Sequence, residues 1–107
     1  KGVLADPVGS IIGGGTEHKD YNIEGVGNDF IPDTMDTSLI DICIKVNDEQ
    51  AFSTAKEITR REGVIAGSSS GADLWCALEL AKRIDKGNIV VLFPDRGDRY
   101  ISKGLYD

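Results

Sequence analysis

The sequence predicts an α/β domain with a mostly parallel open sheet and helices on both faces, a three-layer arrangement. Three observations carry this. Short apolar or β-branched runs alternate with helix-length stretches, in the order strand, glycine loops, strand, helix, strand, helix, strand. Residues 88–93 read as an unbroken apolar strand, the pattern of a strand covered on both faces. Asn47 followed three positions later by Gln50 is the signature of a capping box at a helix start.

The elements follow in order. Residues 2–5 are a short apolar strand closed by Asp6-Pro7. Gly13-Gly14-Gly15-Thr16 reads as a flexible surface loop, and Gly25-Val26-Gly27 as a second glycine cluster, closed by Phe30-Ile31-Pro32. Residues 41–46 alternate as a strand with Ile42, Ile44 and Val46 on one face. A helix follows Asn47, with Asp48 and Glu49 at the positive end of its dipole, Phe52, Ala55 and Ile58 as its buried stripe, and Gly63 as its stop. Residues 64–66 form a short strand, and Gly67-Ser68-Ser69-Ser70-Gly71 is the junction into a second, well-buried helix. That helix carries Leu74, Trp75, Ala77, Leu78, Ala81 and Ile84 and stops at Gly87. The charged tail after Pro94, Arg96 to Tyr100, reads as a solvated exit.

The chain has 107 residues, the size of one domain or part of one. It begins at Lys1, without Met, and runs straight into a strand, so a fragment of a longer protein is expected. Lys and Arg number 12 against 18 Asp and Glu, a net charge of -6, which argues against a phosphate backbone as partner. No apolar run reaches the roughly 20 residues of a membrane helix, and no secretory signal pattern is present. Cys43 and Cys76 read as two buried, reduced thiols, as in a cytoplasmic protein. Neither their spacing nor the single His18 suggests a metal site.

Ligands of open parallel sheets bind beyond the carboxyl ends of the strands. Three junctions of this chain belong there: Asp6-Pro7, residues 67–71, and Pro94-Asp95. The serine loop joins a strand to a helix and so aims backbone N–H groups at the crevice. Its serines also suit an ordinary helix start. The same residues match G-x-S-x-G with Ser69 as nucleophile, but a serine hydrolase needs a general base after the serine, and His18 precedes it.

Three stretches resemble the cysteine synthase and cystathionine β-synthase family: residues 23–32 (Ile-Glu-Gly-Val-Gly-Asn-Asp-Phe-Ile-Pro), residues 62–72 (Glu-Gly-Val-Ile-Ala-Gly-Ser-Ser-Ser-Gly-Ala) and residues 94–102 (Pro-Asp-Arg-Gly-Asp-Arg-Tyr-Ile-Ser). Ala5-Asp6-Pro7-Val8-Gly9-Ser10 is similar to the same family's strand end, so the resemblance covers nearly the whole chain. It implies that residues 1–107 are the C-terminal part of a catalytic region, within the larger domain of a two-domain, fold type II enzyme using pyridoxal 5'-phosphate. Such enzymes replace the β-substituent of serine or O-acetylserine with a thiol or sulfide, in cysteine and sulfur amino-acid metabolism. The resemblance places Ser69 at the pyridine nitrogen, Pro94 and Asp95 near the ring, and Gly25, Val26 and Gly27 beside the amino-acid substrate. It also implies a cytoplasmic homodimer.

The family's Schiff-base lysine and phosphate loop lie earlier in its chain and match nothing here, so no catalytic residue is expected in this piece and the piece alone is expected to be inactive. Asp29 and residues 47–52 lean toward the cystathionine β-synthase type, residues 95–100 toward a cysteine synthase. Asn28 departs from the tyrosine or alanine expected at its place. The competing reading is a non-catalytic binding module that keeps the fold, and behind it the hydrolase.

Overall fold

The computed structural model describes residues 1–15 and 17–106. Thr16, the end of the first glycine run, lies outside them. The fold is α/β, with a parallel sheet and helices. Strand β1, Val3–Pro7, pairs in parallel with β2, Ile42–Val46, in a register that sets Val3 opposite Ile42 and Pro7 opposite Val46. Helix α1, Asp48–Glu62, and helix α2, Ser68–Ala81, follow. Short 3-10 turns occupy Thr37–Leu39 and Gly97–Lys103.

The local signals at α1 hold. Asn47 accepts from the Gln50 N–H at 2.8 Å while the Gln50 side chain accepts from the Asn47 N–H at 2.9 Å, so two orphan donors are satisfied reciprocally. Gly63 adopts φ 70° and ends the helix in the left-handed region, where only glycine sits without cost. As expected, Ile42, Ile44 and Val46 share one face of β2. Ile44 and Val46 join Ile23, Ala51, Ala72 and Cys76 in the main core, against which Ile42 packs. Helix α1 crosses α2 closely through small residues. A Cβ on Gly71 would lie 2.1 Å from the Ala51 carbonyl oxygen and 2.9 Å from the Ala55 Cβ.

Several expected features differ. Residues 64–66 form no strand; Ala66 makes one isolated antiparallel bridge to Arg96. Residues 88–93 form no strand either, because no backbone partner lies beside them among the described residues. Helix α2 stops at Ala81 rather than running to Gly87: the Arg83 N–H bonds back to the Leu80 carbonyl at 2.8 Å, tightening the last turn. It is also less covered than its composition suggested, with Leu78 51% exposed, because α1 and the two strands bury only part of its circumference. Cys43 is half-buried rather than buried, and both cysteines are free. The tail is a solvated exit only in part: Arg96, Asp98 and Arg99 are exposed, while Tyr100 and, beyond the tail, Leu105 pack with Ala55 and Ala66 in a second core. No helix among the described residues is long and apolar enough to cross a membrane.

Candidate functional site

Two of the three junctions meet at the N-terminus of α2, and the third, Asp6-Pro7, is linked to them through the second glycine cluster. The Asp95 carbonyl accepts from the Gly67 N–H at 3.1 Å and from the Ser70 hydroxyl at 2.9 Å, which fixes the end of residues 88–93 to the start of the helix. The Ser68 hydroxyl accepts from the Glu24 N–H at 3.3 Å and ties the glycine cluster to the same turn. Pro7 closes the group. A Cβ on Gly27, which has φ 73°, would lie 2.5 Å from the Pro7 Cγ. Gly27 is therefore a packing glycine, whereas Gly25 (φ 80°) faces open space, with nothing within 4 Å of its would-be Cβ.

Ser69 is the exception within this junction. Ser68 and Ser70 spend their hydroxyls on neighbouring backbone, but the Ser69 hydroxyl makes no hydrogen bond among the described residues, although Ser69 is only 2% exposed. Among the described residues the buried side-chain oxygen without a partner is Asp6 Oδ1, so the Ser69 oxygen is not sealed off and stays open to an incoming group. It sits in the first turn of α2, where unpaired N–H groups and the helix dipole favour an electron-rich ligand.

The Asp95 side chain turns away from this point. It accepts from the Arg96 N–H at 2.8 Å, from the Tyr100 hydroxyl, and from Arg99 at 3.3 Å. The Tyr100 hydrogen bond foremost holds the Asp95 carboxyl below the usual carboxylate range. Burial and that same bond push the Tyr100 phenol up to about 12. Asp95 thus serves the junction through its backbone, and Pro94 beside it is exposed. His18 lies elsewhere, 3.7 Å from Asp20 and edge-on to Tyr21, and supplies no base to Ser69.

The sequence reading missed the device that holds the glycine loops. Asp6, fully buried, accepts from Lys45 and, at 2.9 Å, from the Gly13 N–H; Lys45 also donates to the Ser10 carbonyl at 2.9 Å. The Ser10 hydroxyl in turn accepts from the Asn28 N–H at 2.9 Å, just beyond Gly27. Gly13 is thereby anchored rather than free. The available signal was a carboxylate and an amine, each inside an apolar strand.

Residues 3–95 match the family described as pyridoxal-phosphate dependent enzymes. The chain belongs to that family. It is 52% identical over its whole length to the O-acetylserine dependent cystathionine beta-synthase of Bacillus subtilis (strain 168), covering 35% of that protein. It is 41% identical, over 94% of its length, to the cysteine synthase of Helicobacter pylori (strain ATCC 700392 / 26695), covering 33% of it. The crystal structure of an O-acetylserine dependent cystathionine beta-synthase from Helicobacter pylori superposes with a TM-score of 0.83 at 41% identity, over 98% of this chain and 34% of that one. The chain thus spans about a third of the length of the relatives it matches. The cofactor named by the family is pyridoxal phosphate. An uncommitted hydroxyl in the first turn of a helix suits an electron-rich ring nitrogen, so the residues present fit the part of that group they would meet.

Proposed function

We propose that this chain contributes the ring-nitrogen side of the site in a pyridoxal-phosphate dependent enzyme that replaces the β-substituent of serine or O-acetylserine with a thiol or sulfide. The supporting observation is the Ser69 hydroxyl, left without a hydrogen-bond partner while both flanking serines are committed. The cofactor supplies an electron sink for charge developing at the α-carbon of the amino acid. Ser69 offers the ring nitrogen a neutral hydroxyl, which binds it without enforcing its protonation, as a carboxylate would. That would limit delocalisation into the ring and so favour loss of the β-group. Ser68 and Ser70 tie the turn to neighbouring backbone, Pro94 and Asp95 would lie near the ring, and Gly25, Val26 and Gly27 would lie beside the amino acid, Gly25 open and Gly27 packed behind it on Pro7. The name of the 52% identical relative supports O-acetylserine as the activated substrate. In this reading the enzyme is a cytoplasmic homodimer.

The test is the visible absorption of the full-length protein before and after L-serine and then O-acetyl-L-serine. A cofactor band that shifts with one of the amino acids supports the reading and names the substrate. A protein that stays colourless after reconstitution makes it a binding module. Ser69→Asp is expected to lower turnover at least about 100-fold with the circular dichroism unchanged; undiminished turnover removes Ser69 from the site.

A further inference from the structure

Helix α2 floors a groove between β1 and residues 88–92, and the stripe it presents there runs Asp73, Ala77, Leu80. A carboxyl in so apolar a stripe is costly unless another group answers it. Asp73 is half-buried and makes no hydrogen bond or ion pair among the described residues. Gly25 and Gly27, from the second glycine cluster, border the same groove.

Ser69 lies four residues before Asp73, in the first turn of the same helix. Side chains at that spacing share a face, with Cβ atoms about 5–6 Å apart. Helical side chains also lean toward the N-terminus, which carries the carboxyl of the later residue toward the hydroxyl of the earlier one. Neither group is committed elsewhere, so each is free to turn to the other. Burial alone pushes the Asp73 carboxyl up to about 6. The titratable groups in this part of the fold are Cys76 and Glu79 on α2, Asp6 on β1, Cys43 on β2, and Lys1 and Lys86 at the rim of the groove. Helix α1 meets α2 at Gly71, on the side away from Asp73.

A hydroxyl has one proton to give, and its neighbour decides where that proton points. We propose that Asp73 is a positioning residue for Ser69: while protonated it donates to the Ser69 oxygen and leaves the Ser69 proton for an acceptor atom at the helix N-terminus, and once ionised it accepts that proton itself. The inference rests on the reading of Ser69 as the contact of the cofactor's ring nitrogen, and adds the group that orients the hydroxyl.

The first measurement needs no cofactor. The Asp73 carboxyl of the full-length apo-protein is titrated by carbon-13 NMR, with and without Ser69→Ala. The bond from the hydroxyl favours the ionised carboxylate, so its removal is expected to raise the Asp73 midpoint by about half a pH unit or more. An unmoved midpoint overturns the inference. Ser69→Cys, a weaker donor, replaces Ser69→Ala if that variant does not fold, with the same expectation. The second measurement is the affinity of the full-length apo-protein for pyridoxal 5'-phosphate, read by absorption, with and without Asp73→Asn. The amide donates to the Ser69 oxygen at every pH, so the affinity of the variant relative to the parent is expected to rise about tenfold between pH 5 and pH 9. A constant ratio with a moved midpoint supports the pair and overturns the reading of Ser69 as the ring-nitrogen contact.

Discussion

Asp73 shows how one residue carries pH dependence. It is half-buried on α2 and makes no hydrogen bond or ion pair among the described residues. Burial pushes its carboxyl up to about 6. The folded state therefore keeps a proton that the unfolded chain has already lost. The associated stability is full below pH 4 and is lost as pH rises through 6. Asp73→Asn is expected to raise the melting temperature at pH 7 to 8 by a few degrees, on the order of 1 kcal/mol, and to change nothing at pH 3.5. Thermal melts at the two pH values check this. Cys76, close by, has its thiol pushed up to about 12, first by burial, so it stays a protonated core residue. The residue scale also holds the clearest contrast between pattern and partner. Ser68, Ser69 and Ser70 are indistinguishable by composition, yet only contacts from Glu24 and Asp95, 44 and 25 positions away, leave Ser69 as the free one.

At the scale of elements, the most legible features were those whose partners are local. The capping box of α1 closes within four residues, and the left-handed stop at Gly63 depends on glycine alone. The buried face of β2 follows from alternation. The contact between α1 and α2 was not legible, because Gly71, Ala51 and Ala55 signal nothing until the helices cross. With the Ala51 carbonyl 2.1 Å from the position of a Gly71 Cβ, Gly71→Leu must part the helices. The expected cost is about 3 kcal/mol or more, read as a shift of the urea midpoint. Part of the loss is expected to be recovered neither by pH nor by salt, since no charge is involved. Residues 64–66 and 88–93 looked equally strand-like in sequence and formed no strand, because a strand's hydrogen bonds belong to its neighbours.

For the whole molecule, the two small cores, the two-stranded sheet and the open groove describe a body that buries its own helices but presents an apolar wall. Of its lysines, Lys45 is committed to Asp6 and Ser10, Lys82 pairs with Glu79 and Lys103 with Glu24, and none matches the family's Schiff-base motif. The isolated 107-residue chain is accordingly expected to give no turnover of L-serine or O-acetyl-L-serine, and pyruvate and thiol assays at high enzyme concentration check it. Turnover by the isolated chain would show that one of its own lysines carries the chemistry.

The sequence by itself determined the α/β class, the start and stop of α1, the inward face of β2 and the identity of the three junctions, because each is written in residues close along the chain. Only the tertiary structure decided which serine hydroxyl is free, that Asp6 and Lys45 hold the glycine loops, that Tyr100 and Leu105 are core, and that residues 88–93 face a groove. Those outcomes depend on which groups distant in sequence come within hydrogen-bonding or packing distance, and periodicity and propensity carry no record of that.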